Sequence, residues 1–159
     1  MTHRLAMTVD RGGADAAAQL TLTYEDRFLR RKVLTCDDGS KVLVDLAQTT
    51  SLNAGDHLVC EDGTRIVVGA ADEDLLQITA DRLLPVVWHI GNRHCPCQIE
   101  ENRVLIQPDH VLADLMEKLG ARVMPVKEPF TPEGGAYGHG RTHGHDHSHQ
   151  HGPDHHHHD

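Results

Sequence analysis

"LLQITADRLLPVVWHIGNR", residues 75–93, decides how the second half of the chain folds. Its first five residues, 75–79, read as a strand. From Ala80 the pattern changes to helical spacing, with Leu83, Leu84, Val87 and Ile90 on one face. Pro85 is tolerated only in a first helical turn, so the helix starts close to residues 80–83. Beyond it, "CQIE" and "RVLI" flank "EN" as a short hairpin. "DHVLADLMEKLG" (109–120) then reads as an amphipathic helix, with Val111, Leu112, Leu115, Met116 and Leu119 as its apolar stripe. Asp109 is placed to cap its start, and Gly120 suits its end. "ARVMPVKEPF" supplies a last strand.

The resulting order, βαββαβ, is the split, ferredoxin-like arrangement. Upstream, "RLAMTV", "QLTLT", "KVLVDL", "HLVC" and "RIVVGA" are short apolar or alternating runs. "TCDDGSKV" and "CEDGTRI" place Asp-Gly between such runs, a hairpin signal, and "SLNAGDHLV" adds a further turn. "YEDRFLRRK" (24–32) is charged and fits a solvated edge strand, where charge discourages unwanted pairing. The expected class is therefore α+β: a small antiparallel β domain over residues 1–72, a ferredoxin-like domain over 73–137, and a tail over 138–159. That tail has no periodicity and too little apolar content to order itself without a ligand.

Composition excludes several function classes. The formal charge is −9 with histidines neutral, which opposes a nucleic-acid partner. Aromatics are 3%, too few for base-stacking platforms. No apolar run approaches the roughly 20 residues of a membrane span, and the N-terminus lacks a signal peptide's apolar stretch. A cytoplasmic location is expected, and there the four cysteines are thiols rather than disulfides. Cys36 and Cys60 each end an apolar run and read as small buried hydrophobes. No nucleophile–base pair, phosphate loop or paired-carboxylate site is evident, so an enzyme is not expected.

Ten of the 15 histidines crowd the tail: His139, His143, His145, His147, His149, His151, His155, His156, His157 and His158. Imidazole suits Ni, Cu and Zn, and its neutral form is available near neutral pH. His-x-His repeats with intervening glycine let two rings chelate one ion, and Asp146 and Asp154 can add oxygen. An interleaved tract beginning at His139, sixteen residues before "HHHH", argues against a purification remnant. So flexible a tract selects poorly among metals and reads as a collector or buffer.

A second concentration of ligands is "HIGNRHCPCQI" (89–99), which holds His89, His94, Cys95 and Cys97. His89 lies mid-helix and reads as structural. His94 lies just past the helix, on a turn made by Gly91 and Asn92, free to face outward. Cys95 and Cys97 point to one face of an extended segment, which is either a thiolate site or core. His110 opens the second helix, exposed and able to coordinate.

"WHIGNRHCPCQI", "DHVLADLMEKLG", "PFTPEGGAYGHG" and the histidine-rich end together resemble the UreE family of urease accessory nickel metallochaperones. The resemblance implies a peptide-binding-like first domain and a homodimer joined through the second. It also implies Ni(II) as cargo and a urease accessory GTPase and activation complex as receivers. The family's principal nickel ligand ends "GNRH", which maps to His94. Some members carry His-x-His before the second helix; here "PDH" keeps only His110. Two-fold symmetry would pair one His94 with another, leaving open positions for transfer. Cys95 and Cys97, next to His94, would, if a specialisation of this sequence, widen the range toward Zn(II) or Cu(II). The competing expectations are a general nickel/zinc buffer without delivery and a peptide-binding folding chaperone.

Overall fold

The computed structural model describes residues 3–12 and 15–134. The expected disorder of 138–159 lies outside these residues. The first six strands are β1 (Arg4–Asp10), β2 (Ala18–Leu22), β3 (Phe28–Thr35), β4 (Lys41–Ser51), β5 (His57–Cys60) and β6 (Arg65–Ala70). They form one sheet in the order β2-β6-β5-β1-β4-β3. Both Asp-Gly turns are present, and Gly39 and Gly63 adopt the positive φ that such turns need. β3, with its exposed Arg30, Arg31 and Lys32, is an edge strand as its charge suggests, but residues 24–27 of the expected stretch form a turn in which Arg27 is buried rather than solvated.

The sheet is mixed, however, rather than antiparallel throughout. β1 pairs with β4 in parallel, and β2 with β6 in parallel. Hairpin signals report only sequence neighbours. The pairings that join β1 to β4 and β2 to β6 are long-range and carry no local signature. The sheet curls until its two ends meet: the Asp37 N–H donates to the Gln19 carbonyl at 2.8 Å, and the Thr21 hydroxyl to Asp37 at 2.7 Å. Inside lie Ala6, Leu20, Val42, Val44, Leu58, Ile66 and Val68, together with Cys36 and Cys60, buried as expected.

The second unit follows the order read from sequence: β7 (Asp72–Thr79), α1 (Leu83–Asn92), β8 (Cys97–Ile99), β9 (Val104–Ile106), α2 (His110–Lys118) and β10 (Arg122–Pro129). Its sheet order is β10-β7-β9-β8, with every neighbour antiparallel. Both helices pack against one face, over Ile78, Val104 and Ile106. Pro85 stands in the first turn of α1.

The helix faces differ from expectation in three places. On α1 the buried residues are Val86 and Ile90, with Leu83 and Val87 beside them, whereas Leu84 is 83% exposed. On α2, Leu112 and Met116 are buried, while Val111 and Leu119 stand in solvent. Each helix meets only one sheet face, so its contact stripe is narrower than its apolar stripe. Neither helix, nor any other described one, is long and apolar enough to cross a membrane.

The opposite face of this sheet is covered by the first unit. Leu75, Leu105 and Phe130 form a small buried cluster against Tyr24, whose ring meets that of Phe130 edge-on at 5.3 Å. Arg27, 2% exposed, donates to the Leu22 carbonyl at 2.8 Å and to the Phe130 carbonyl.

Candidate metal centre

The end of α1 differs from the simple turn expected there. Gly91 and Asn92 belong to the helix itself, and the chain reverses at His94. His94 has φ 57°, the one non-glycine residue with positive φ among those described. Its N–H donates to the Gly91 carbonyl at 3.0 Å, closing the last turn. Glycine usually fills such a position, because a Cβ there crowds the following carbonyl. Histidine tolerates it better than most residues do, yet still at a cost. The strained backbone presents the imidazole to solvent at the C-terminal end of α1, where the helix dipole favours a cation.

His94 lines an open pocket of about 220 Å³ together with Cys95, Pro96, Gln107, Pro108 and Asp109. Asp109 reaches the pocket because it caps α2: its Oδ1 accepts the Leu112 N–H at 3.0 Å. Cys95 and Cys97 both pack half-buried against the helix-side core. Burial pushes the Cys95 thiol up, assisted by the charge of Asp109. Burial likewise pushes up the Cys97 thiol, assisted by Glu133 and Cys95. The Cys95 Sγ lies 3.8 Å from the Arg93 carbonyl, as a thiol donor would. Both arrangements favour the protonated form over a thiolate ligand.

His110, first residue of α2, is exposed beside the pocket's Asp109, and is not among the pocket's lining residues. His89 is half-buried and packs edge-on against the exposed Trp88 at 4.9 Å. Among the described residues, no three His, Cys, Asp or Glu side chains are gathered so as to hold an ion. One chain thus brings an exposed imidazole and a carboxylate into the same pocket.

Two family models cover nearly the whole sequence. The UreE urease accessory protein N-terminal domain matches residues 1–71, and the C-terminal domain of the same family matches residues 73–158. The chain belongs to the UreE family. The Urease accessory protein UreE of Ruegeria pomeroyi is 60% identical over 130 residues, covering 82% of this chain and 87% of that protein. Its counterpart from Rhodobacter capsulatus is 49% identical over 143 residues, covering 89% and 91%. UreE proteins are urease accessory chaperones rather than enzymes.

The ten tail histidines of this UreE chain lie outside the described residues. Two contributors escaped the sequence reading. Asp109 was legible only as a helix cap, since its approach to His94 depends on how α1 and α2 pack. The αL backbone of His94 had one available signal: the absence of glycine where α1 has to end.

Proposed function

We propose that this chain is a cytoplasmic nickel metallochaperone that delivers Ni(II) for assembly of the urease metallocentre. The observation that carries this is the incomplete shell at His94. An exposed imidazole on a strained helix end cannot hold a divalent ion alone, so the ion remains available to a receiver. A homodimer through the second domain would pair two His94 rings across a two-fold axis. His110 and the tail histidines serve as auxiliary donors, the tail collecting ions and His94 handing them on. The receivers are the urease accessory GTPase and the activation complex. Cys95 and Cys97 are the sulfur alternative, and X-ray absorption on the nickel-loaded protein decides between nitrogen and sulfur shells.

Calorimetry with Ni(II), Zn(II) and Cu(II), alongside urease activation in cells, tests this reading. Truncation at residue 137 should lower stoichiometry yet leave one ion per dimer and most activation. His94→Ala in that background should abolish both. Retention of both would leave the delivery reading without support. A general buffer would lose activation in proportion to tail histidines, and a peptide-binding chaperone would be indifferent to metal.

A further inference from the structure

The pocket that holds His94 also holds a cation of the protein's own. Arg93, the C-cap of α1, lines it together with Cys95 and Asp109. Its backbone is fixed, because its N–H donates to the Ile90 carbonyl at 3.1 Å. Its side chain is exposed, and among the described residues its guanidinium has no hydrogen bond or ion pair. A solvated arginine on an open surface is ordinary. One left unpaired in the pocket of a metal ligand is not, since it repels the ion. Its charge is felt at the pocket's sulfur. Burial raises the Cys95 thiol, Asp109 raises it further, and Arg93 opposes both.

The charges in this pocket do not provide for a divalent ion. Arg93 and Asp109 cancel, and a neutral imidazole adds nothing. An ion at His94 therefore keeps its two positive charges, and no group of three ionisable donors among the described residues surrounds it. Two-fold pairing would double Arg93 along with Asp109 and leave the same excess. A carboxylate answers both needs. It is an oxygen donor for the ion, and the guanidinium fork is shaped to receive it. The pocket's roughly 220 Å³ has room for a small dicarboxylate, and its lining at Ile106 and Leu112 is apolar.

We propose that Arg93 is an anion-recognition residue of the metal centre: the ion at His94 is held together with a carboxylate co-ligand that bridges the ion and the guanidinium. This rests on the assignment of His94 as the transfer ligand. The co-ligand occupies positions that a receiver's donors later take, and it leaves with the ion or is displaced by them. Arg93 thus makes affinity conditional. It disfavours a bare ion and favours one that is already chelated. The carboxylate comes either from a free chelator or from an acidic side chain of a receiving protein.

The test uses the full-length chain with its ten tail histidines replaced by serine, so that only the folded pocket is read. Ni(II) is titrated with the free ion followed by an indicator dye, first alone and then with malonate. Without malonate, Arg93→Gln should bind the ion up to about fivefold more tightly, because a repulsion is gone. With saturating malonate the parent's gain in affinity should exceed the variant's by about tenfold, the worth of a charge-assisted bond, and so reverse their order. Arg93→Lys, which keeps the charge without the fork, should gain less than the parent and more than Arg93→Gln. The same gain in parent and Arg93→Gln overturns the proposal, and so does no gain in the parent. Acetate, with one carboxylate, separates the two sources. A gain with malonate alone assigns a free chelator, and an equal gain with acetate assigns an acidic side chain. Failure of the underlying assignment reads differently: His94→Ala would then bind nickel as the parent does, with or without malonate.

Discussion

The guanidinium of Arg27 donates to the carbonyl oxygen of Phe130, 103 residues further along the chain, and to that of Leu22 within its own domain. Arg27→Ala strips the buried Phe130 carbonyl of its donor, at about 1–3 kcal/mol for a group left unsatisfied, while the Leu22 carbonyl keeps the Ala71 N–H at 2.9 Å. The urea midpoint should fall clearly. Arg27→Lys should lie between, because a single ammonium lacks the planar fork that serves both oxygens. A midpoint for Arg27→Ala within error of the parent would show that the Phe130 carbonyl finds another partner.

The left-handed backbone of His94 sets function against stability. His94→Gly removes the Cβ conflict and should stabilise the protein by about 1 kcal/mol, less the extra freedom of glycine in the unfolded chain. His94→Ala keeps the conflict and should gain nothing. In the chain truncated at residue 137, both should lose nickel binding. Denaturation and calorimetry on the same two variants check the pair of outcomes, and a destabilised His94→Gly would contradict the strain argument.

Asp109 serves two ends that substitution can separate. Asp109→Ala removes the cap on the Leu112 N–H and should cost about 1 kcal/mol. Asp109→Asn keeps a capping oxygen and should hold stability near the parent. It also removes the negative charge from the His94 pocket, which Arg93 lines as well. Nickel affinity in the chain truncated at residue 137 should drop by up to about fivefold, the worth of a charge interaction near 1 kcal/mol. Unaltered affinity would leave Asp109 with its cap alone.

Acid should expose a second electrostatic feature. Arg103 donates to both Glu128 oxygens at 2.7 Å across the sheet, holding that carboxyl below its usual 4.5. A depressed folded value means the stabilisation is fully present above the ordinary carboxylate range. It is lost as pH falls through the lowered value. Glu128→Gln should therefore be less stable than the parent at neutral pH and converge with it in stronger acid. Parallel stability curves from pH 7 to pH 2 would rule this out.

How much of this was legible in the sequence varies by residue. The βαββαβ order was readable because Asp109, Gly120 and Pro85 punctuate each helix locally. The edge position of β3 was readable from Arg30, Arg31 and Lys32. The parallel pairings of β1 with β4 and β2 with β6 were not, because no residue near either strand encodes a distant partner. Leu84 and Val111 misled for a related reason: helical spacing says which residues share a face, not how much of that face the sheet covers. His94 was found by motif, but its backbone conformation and its approach to Asp109 emerge only from packing. Gln98 stood inside the same motif with no sign that Thr131 would bind it.

The cover that Tyr24 places over Leu75, Leu105 and Phe130 has a consequence for modularity. The two domains are not freely exchangeable parts. A first domain transplanted from another protein must bring counterparts of Tyr24 and Arg27, or the recipient carries a bare apolar patch and a Phe130 carbonyl without its donor. The second domain excised alone should be adhesive on that face and prone to self-association. Domain grafting among such chaperones is thus constrained by a handful of contact residues rather than by the sequence at the junction.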